Sequence, residues 1–176
     1  MIKLLKILGS FFVIIPFGVM GIIIGKNFSK RPEQIRQLQF GLQALETEIM
    51  YSATPLPQAM EKVAKQVHDG PISQLFLQTG RELLKGEGQT ATEAWSEAVK
   101  NMKDYLLFTE IDLTILEQFG QGLGTSDRQD QLKRLTVVRA HLEGREKEAE
   151  KEKFQFQKVW QVLGWALGLV ITLLFL

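Results

Sequence analysis

The chain has 176 residues, with 21 Lys and Arg against 20 Asp and Glu, two His and no Cys. The lack of cysteine excludes disulfides, thiolate chemistry and cysteine-ligated metal, and a formal charge of +1 provides no overall basic footprint. Between Glu33 and Glu117 thirteen acidic side chains stand against seven basic ones, a balance that argues against nucleic acid; it leaves open a basic protein partner or an ordinary solvated surface.

After a short tail, residues 1–6, residues 7–25 carry no charge, and neither do residues 159–176. At about 1.5 Å per residue such stretches reach roughly 27–28 Å, near the thickness of bilayer hydrocarbon, so two transmembrane helices are expected. A cleaved secretory signal is the other reading of the first stretch, with Lys3 and Lys6 as its basic start. Against it, the apolar run is long, no A-x-A site follows, and Lys26, Lys30 and Arg31 come next as a stop-transfer flank would. For the second stretch the alternative is a core helix, but it has no polar face, and Trp160 beside Lys158 resembles an interfacial anchor. Gly21 with Gly25, and Gly164 with Gly168, each put two small residues on one helix face. That spacing lets helices approach closely, within this hairpin or between the chains of a homo-oligomer.

Orientation follows from the basic flanks. Lys26, Lys30, Arg31 and Arg36 lie at one end of the middle segment, and Arg145, Lys147, Lys151, Lys153 and Lys158 at the other. The positive-inside rule therefore expects the middle segment in the cytoplasm, as one domain of about 130 residues.

Every apolar pattern in that segment has helical spacing. Pro32 suits a first helical position, and Ile35, Leu38, Leu42, Leu45 and Ile49 follow on one stripe as far as about Ser52. Thr54-Pro55-Leu56-Pro57 ends that helix and starts a second, with Leu56, Ala59, Met60, Val63, Ala64 and Val67 inward. Asp69-Gly70-Pro71 opens a third, with Ile72, Leu75, Phe76, Thr79 and Leu83 inward, which stops at Gly86-Glu87-Gly88. Thr90 with Glu93 reads as a capping box before a fourth helix that buries Ala94, Trp95, Ala98, Val99 and Met102. A fifth is expected to bury Leu107, Ile111, Ile115, Leu116 and Phe119 and to end in the run Gly120 to Gly124; Ser126 with Gln129 is a second capping box. The sixth begins with Leu132, Leu135 and Val138. It continues through a charged run in which Glu143 and Lys147 pair at i,i+4 and Glu148 and Lys151 at i,i+3. Residues 143–158 are therefore read as a helical stalk between a bundle at 27–142 and the last apolar stretch, with a flexible charged linker as the alternative. The fold expected is all-α: an antiparallel bundle of about six helices flanked by two membrane helices.

Catalytic signatures are missing. No phosphate-binding G-x-x-x-x-G-K-[ST] loop occurs, His68 and His141 belong to no H-E-x-x-H pattern, and nothing resembles G-x-S-x-G. Glu46 and Glu48 diverge by about 200° on a helix and so flank the apolar stripe instead of converging on a substrate. No catalytic residue, cofactor or metal is expected; the chain reads as a binding protein.

Arg31-Pro32, the run from Leu45 to Leu56, the lone Ala94-Trp95, and the run from Phe119 to Asp127 with Gln131 together resemble the stage III sporulation protein AB family of endospore-forming Firmicutes. The resemblance spans nearly the whole chain. It implies a protein of the mother-cell membrane facing the forespore, whose cytoplasmic domain is similar to the F-type platform domain of type II secretion and type IV pilus machines. Implied partners are the other subunits of the sporulation channel complex, a cytoplasmic ATPase among them, and the lipid bilayer; nucleic acid is not one. Classical F subunits carry two such domains and usually three membrane helices, which this chain does not match. Within the motifs, Pro32, Thr54, Pro55, Leu56, Trp95, Phe119, Gly120, Gly124, Asp127 and Gln131 read as residues that hold the bundle together. Glu46, Glu48 and Tyr51 read as a surface contacted by a partner. The function expected is a non-enzymatic, membrane-anchored platform. Its alternatives are a membrane-tethered signalling or regulatory bundle, disfavoured because Gly144 to Lys153 offers only Ala149 for an apolar seam, and a membrane-bound hydrolase with an unrecognised site.

Overall fold

The structure is a computed structural model that describes Pro16, Val19 and residues 30–175 apart from 53, 86–87 and 125–127. Among the described residues it contains six helices and no strand: α1 (Lys30–Met50), α2 (Leu56–Gln66), α3 (Pro71–Leu84), α4 (Ala91–Met102), α5 (Glu110–Gly120) and α6 (Arg128–Phe175). The all-helical class expected from the periodicities is the one observed. Arg31–Lys147 pack as one compact unit, and Glu148–Phe175, the remainder of α6, belongs to another.

Each helix of the compact unit exists because an apolar stripe needs cover. In α1, Ile35, Leu38, Leu42 and Leu45 are fully buried, while Ile49 is only half-buried. Pro32 is its third described residue, not its first, a position where the missing N–H costs nothing because the first four amides of a helix have no internal partner. The chain leaves α1 through Tyr51 and Ser52, with the Thr54 amide donating to the Glu48 carbonyl at 3.3 Å. Pro55 then adopts extended backbone (φ −54°, ψ 140°) and Pro57 sits in the first turn of α2. Val63, Met60, Ala59 and Ala64 are buried on α2, and Ile72, Leu75, Phe76 and Thr79 on α3. These two helices are tied by the Ser73 hydroxyl, which donates to the Ala64 carbonyl at 2.7 Å.

The capping box that opens α4 is formed as expected, with the Thr90 amide donating to Glu93 at 2.8 Å. All five apolar residues expected to face inward from this helix are buried. For α5 the expectation needs correction: Leu107 and Ile111 are 44% and 58% exposed. A second capping box, Thr109 with Asp112, starts the helix at Glu110, so that Leu107 stays in the preceding loop and the inward stripe becomes Asp112, Leu113, Ile115, Leu116 and Phe119. The Ser126–Gln129 box expected before α6 falls on residues outside those described, as does Asp127. Helix α6 buries Leu135, Val138 and Leu142, and passes Gly144 and the charged run without a break.

Helices α1 and α6 run antiparallel along a polar seam. Arg36 and Gln39 both reach Glu146, at 2.8 and 2.7 Å, and one turn further along Gln43 and Glu46 both receive Arg139, at 3.3 and 3.1 Å. Arg145 and Glu146, assigned by sequence to the stalk, therefore bond to the bundle.

Among the described residues no helix is long and apolar enough to cross a membrane. The first uncharged stretch lies outside those residues except for Pro16 and Val19, so the expectation for Gly21 and Gly25 falls outside them too. In the second stretch the backbone is helical to Phe175, but the surroundings of Gly164 and Gly168 again lie outside.

Candidate functional site

The three residues proposed from sequence as a contact surface occupy the last two turns of α1 and the turn after it. Glu46 and Glu48 leave opposite sides of the helix, as their spacing requires. Glu46 pairs with Arg139 of α6, both partners partly exposed, whereas Glu48 pairs with Lys62 of α2 at 2.9 Å and accepts the Thr54 hydroxyl at 2.7 Å. The Lys62 ammonium and the Thr54 hydroxyl hold the Glu48 carboxyl below its ordinary pKa. Both carboxylates thus join α1 to a neighbouring helix. Tyr51 makes the opposite choice: at 86% exposure it is the most solvated large apolar side chain of the compact unit.

A polar site that sequence reasoning missed lies at the other end of the unit. Asp112 is completely buried. Its Oδ1 accepts from Arg145 Nε of α6 at 2.7 Å, and its Oδ2 from Arg31 Nε of α1 at 3.0 Å and from the Thr109 amide at 2.9 Å. Arg145 also reaches the Thr109 hydroxyl at 3.1 Å. Burial by itself would raise the carboxyl pKa, but the hydrogen bonds from Arg145, the Thr109 amide, Arg31 and the Thr109 hydroxyl outweigh it and hold it below the carboxylate range. One residue thereby caps α5 and bonds to the first and last helices of the unit. The sequence signal was T-x-x-D, a capping box with aspartate in place of glutamate, followed by an apolar stripe.

Next to this group Gln34 spans the loop between α4 and α5. Its amide donates to the Tyr105 carbonyl at 3.3 Å and its oxygen accepts the Leu107 amide at 2.7 Å. Leu106 is buried between them, while Tyr105 and Leu107 point outward.

The remaining motif residues divide between packing and backbone roles. Trp95 is fully buried, donates to the Leu116 carbonyl at 2.9 Å, and meets Phe76 and Phe119 edge-on with centroids 5.7 and 4.9 Å away. Gly120 is needed for that packing rather than for an unusual backbone, because a β-carbon there would lie 2.4 Å from Trp95 Cδ1. Gly124 does need its conformational freedom, with φ +74° in the turn after α5. Leu56 and Gln131 are half-buried and Pro32 is buried.

Between α5 and α6 lies an open groove of about 410 Å³ lined by Ile111, Thr114, Gln118, His141, Gly144 and Arg145 among others. No group of three or more His, Cys, Asp or Glu placed to hold a metal occurs among the described residues. The titratable groups that do converge are occupied by one another, an arrangement suited to holding helices at fixed spacing.

These observations define an all-helical module whose polar interior joins helices to one another. The sequence matches the family described as stage III sporulation protein AB over residues 6–176. The curated stage III sporulation protein AB of Bacillus subtilis (strain 168) is 38% identical over 171 residues, which is 97% of this chain and 99% of the relative. A solved structure of stage III sporulation protein AB matches with a TM-score of 0.67 at 40% identity, covering 72% of this chain and 98% of that one. The chain belongs to the stage III sporulation protein AB family.

Proposed function

We propose that the chain is a non-enzymatic platform subunit of a secretion-like complex that forms between mother cell and forespore. In this reading residues 7–25 and 159–176 anchor it in the mother-cell membrane, and the helical bundle, F-domain-like, docks a cytoplasmic ATPase. The observation that carries the reading is the continuity of α6: a single helix leads from core residues Leu135, Val138 and Leu142 to the uncharged residues beyond Lys158. Family membership supplies the sporulation context. Tyr51 at the end of α1, flanked by Glu46 and Glu48, is the proposed contact face.

Because both glutamates are engaged within the bundle, Tyr51 is the sharper probe. From detergent extracts of sporulating cells, the intact chain is expected to co-purify with the complex's ATPase. Tyr51→Ala should lower recovery roughly tenfold, as loss of an exposed aromatic anchor does, with helicity by circular dichroism unchanged. Undiminished recovery from both Tyr51→Ala and the charge-reversed Glu46→Lys/Glu48→Lys chain would remove this face from consideration. Absence of the ATPase from the unaltered chain's eluate, when other members of the complex are present, would defeat direct docking.

A further inference from the structure

We infer that the loop between α4 and α5 rests on the lipid surface, with Tyr105 and Leu107 entering the headgroup boundary and Ile111 at its edge. The inference rests on the membrane anchoring proposed above and adds to it a second, non-spanning contact.

Three observations carry it. Tyr105, Leu107 and Ile111 are 66%, 44% and 58% exposed within seven residues of one another, a concentration of solvated apolar side chains that needs a partner. They are held in place: Leu106 is buried between them, Gln34 bonds the loop on both sides of it, and the Asp112 group fixes the start of α5. The patch also lies at the end of the compact unit where the chain connects to both uncharged stretches. Gln34 is nine residues beyond Gly25, and Arg145, bonded to Asp112, is fourteen residues before Val159.

The composition of the patch fits a bilayer boundary. Tyrosine, with an apolar ring and a polar tip, is enriched at that depth, and leucine supplies apolar area. Charge contributes little, because Lys103 is matched by Glu110 at 3.2 Å and Asp104 is exposed beside it. The contact is therefore apolar in origin and should persist at high salt and on uncharged lipid.

The chain has no native cysteine, so single labelling sites can be introduced at exposed positions. Y105C, L107C and, as a control, Y51C are each labelled with an environment-sensitive fluorophore in the full-length chain. Each is reconstituted into phosphatidylcholine vesicles containing lipid brominated near the glycerol backbone. Residue 51 follows α1 and so lies about 30 Å along it from Arg31. Labels at 105 and 107, immersed to about 5–10 Å, should be quenched about twofold or more relative to residue 51, and equally so in high salt.

Equal quenching at all three sites, with the chain retained on the vesicles through an alkaline carbonate wash, overturns this contact while leaving the anchoring intact. Loss of the chain in that wash overturns the anchoring, and this contact with it. Shielding of 105 and 107 from aqueous iodide without quenching by brominated lipid means that a second copy covers the patch, which also overturns the proposal.

Discussion

Asp112 has no contact with solvent, and two guanidinium groups converge on it from helices distant in sequence. Removing one member of such a group strands the others in a poorly solvated site, at a cost of about 3–5 kcal/mol. Asp112→Asn, which keeps the shape and part of the cap but abolishes the charge, should destabilise the bundle by that order at pH 7, read from thermal melts of the full-length chain followed by circular dichroism. The folded carboxyl titrates below its unfolded value, so the stability it contributes is complete above the ordinary carboxylate range. That contribution is lost as pH falls through the folded value; the gap between the two proteins should therefore close below about pH 4 and stay constant from pH 5 to 8. A gap independent of pH down to 3 would mean that the charge is not what holds these helices. Two glycines give a matched contrast. Gly120→Ala drives a methyl into Trp95 and should cost about 1–3 kcal/mol, whereas Gly144→Ala, with open space around it inside a helix, should stabilise by about 0.5–1 kcal/mol, both measured by the same melts.

Legibility at the level of the element follows the range of the interaction. The α4 capping box, the proline corner before α2 and the inward stripes of α1 to α4 depend on residues within a few positions of each other, and all could be read from the sequence. The beginning of α5 could not, because Asp112 replaces an apolar residue on the inward stripe and its partners Arg31 and Arg145 lie 81 and 33 positions away. Reading Leu107 and Ile111 as core was the direct result: an apolar periodicity was extended across a cap. For Gly120 the residue was identified but its reason was not, since the close approach of Trp95 is a tertiary fact. The α1–α6 seam was likewise invisible locally, although Glu46 was singled out. It offers its own check: Arg139→Glu should lower the melting temperature, and Glu46→Arg in the same chain should restore much of the loss. The coupling energy of this half-exposed pair should be about 0.2–1 kcal/mol and should shrink in high salt. Failure of the second change to compensate would show that the two side chains do not interact in solution.

For the whole molecule, the fold class and the family were both accessible from sequence, because helical periodicity and several separated motifs ran the length of the chain. What periodicity does not encode is which polar groups are spent inside the bundle and which remain outside. Glu46 and Glu48 turn out to be committed to neighbouring helices, and Tyr51 alone of the three stands free of them. The largest exposed apolar concentration in the compact unit was read as interior, and became visible only once the Thr109 cap was in place.

The antiparallel seam places residues 31 and 145 side by side, joined through one carboxylate. Tension applied to the two strands of chain that leave the unit there would load its bonds one after another instead of all together, the geometry of a zipper rather than of a lap joint. The two guanidinium contacts of Asp112 would part first and the Arg139 contacts later, and a protein pulled in this way yields at low force from the ends where it is held.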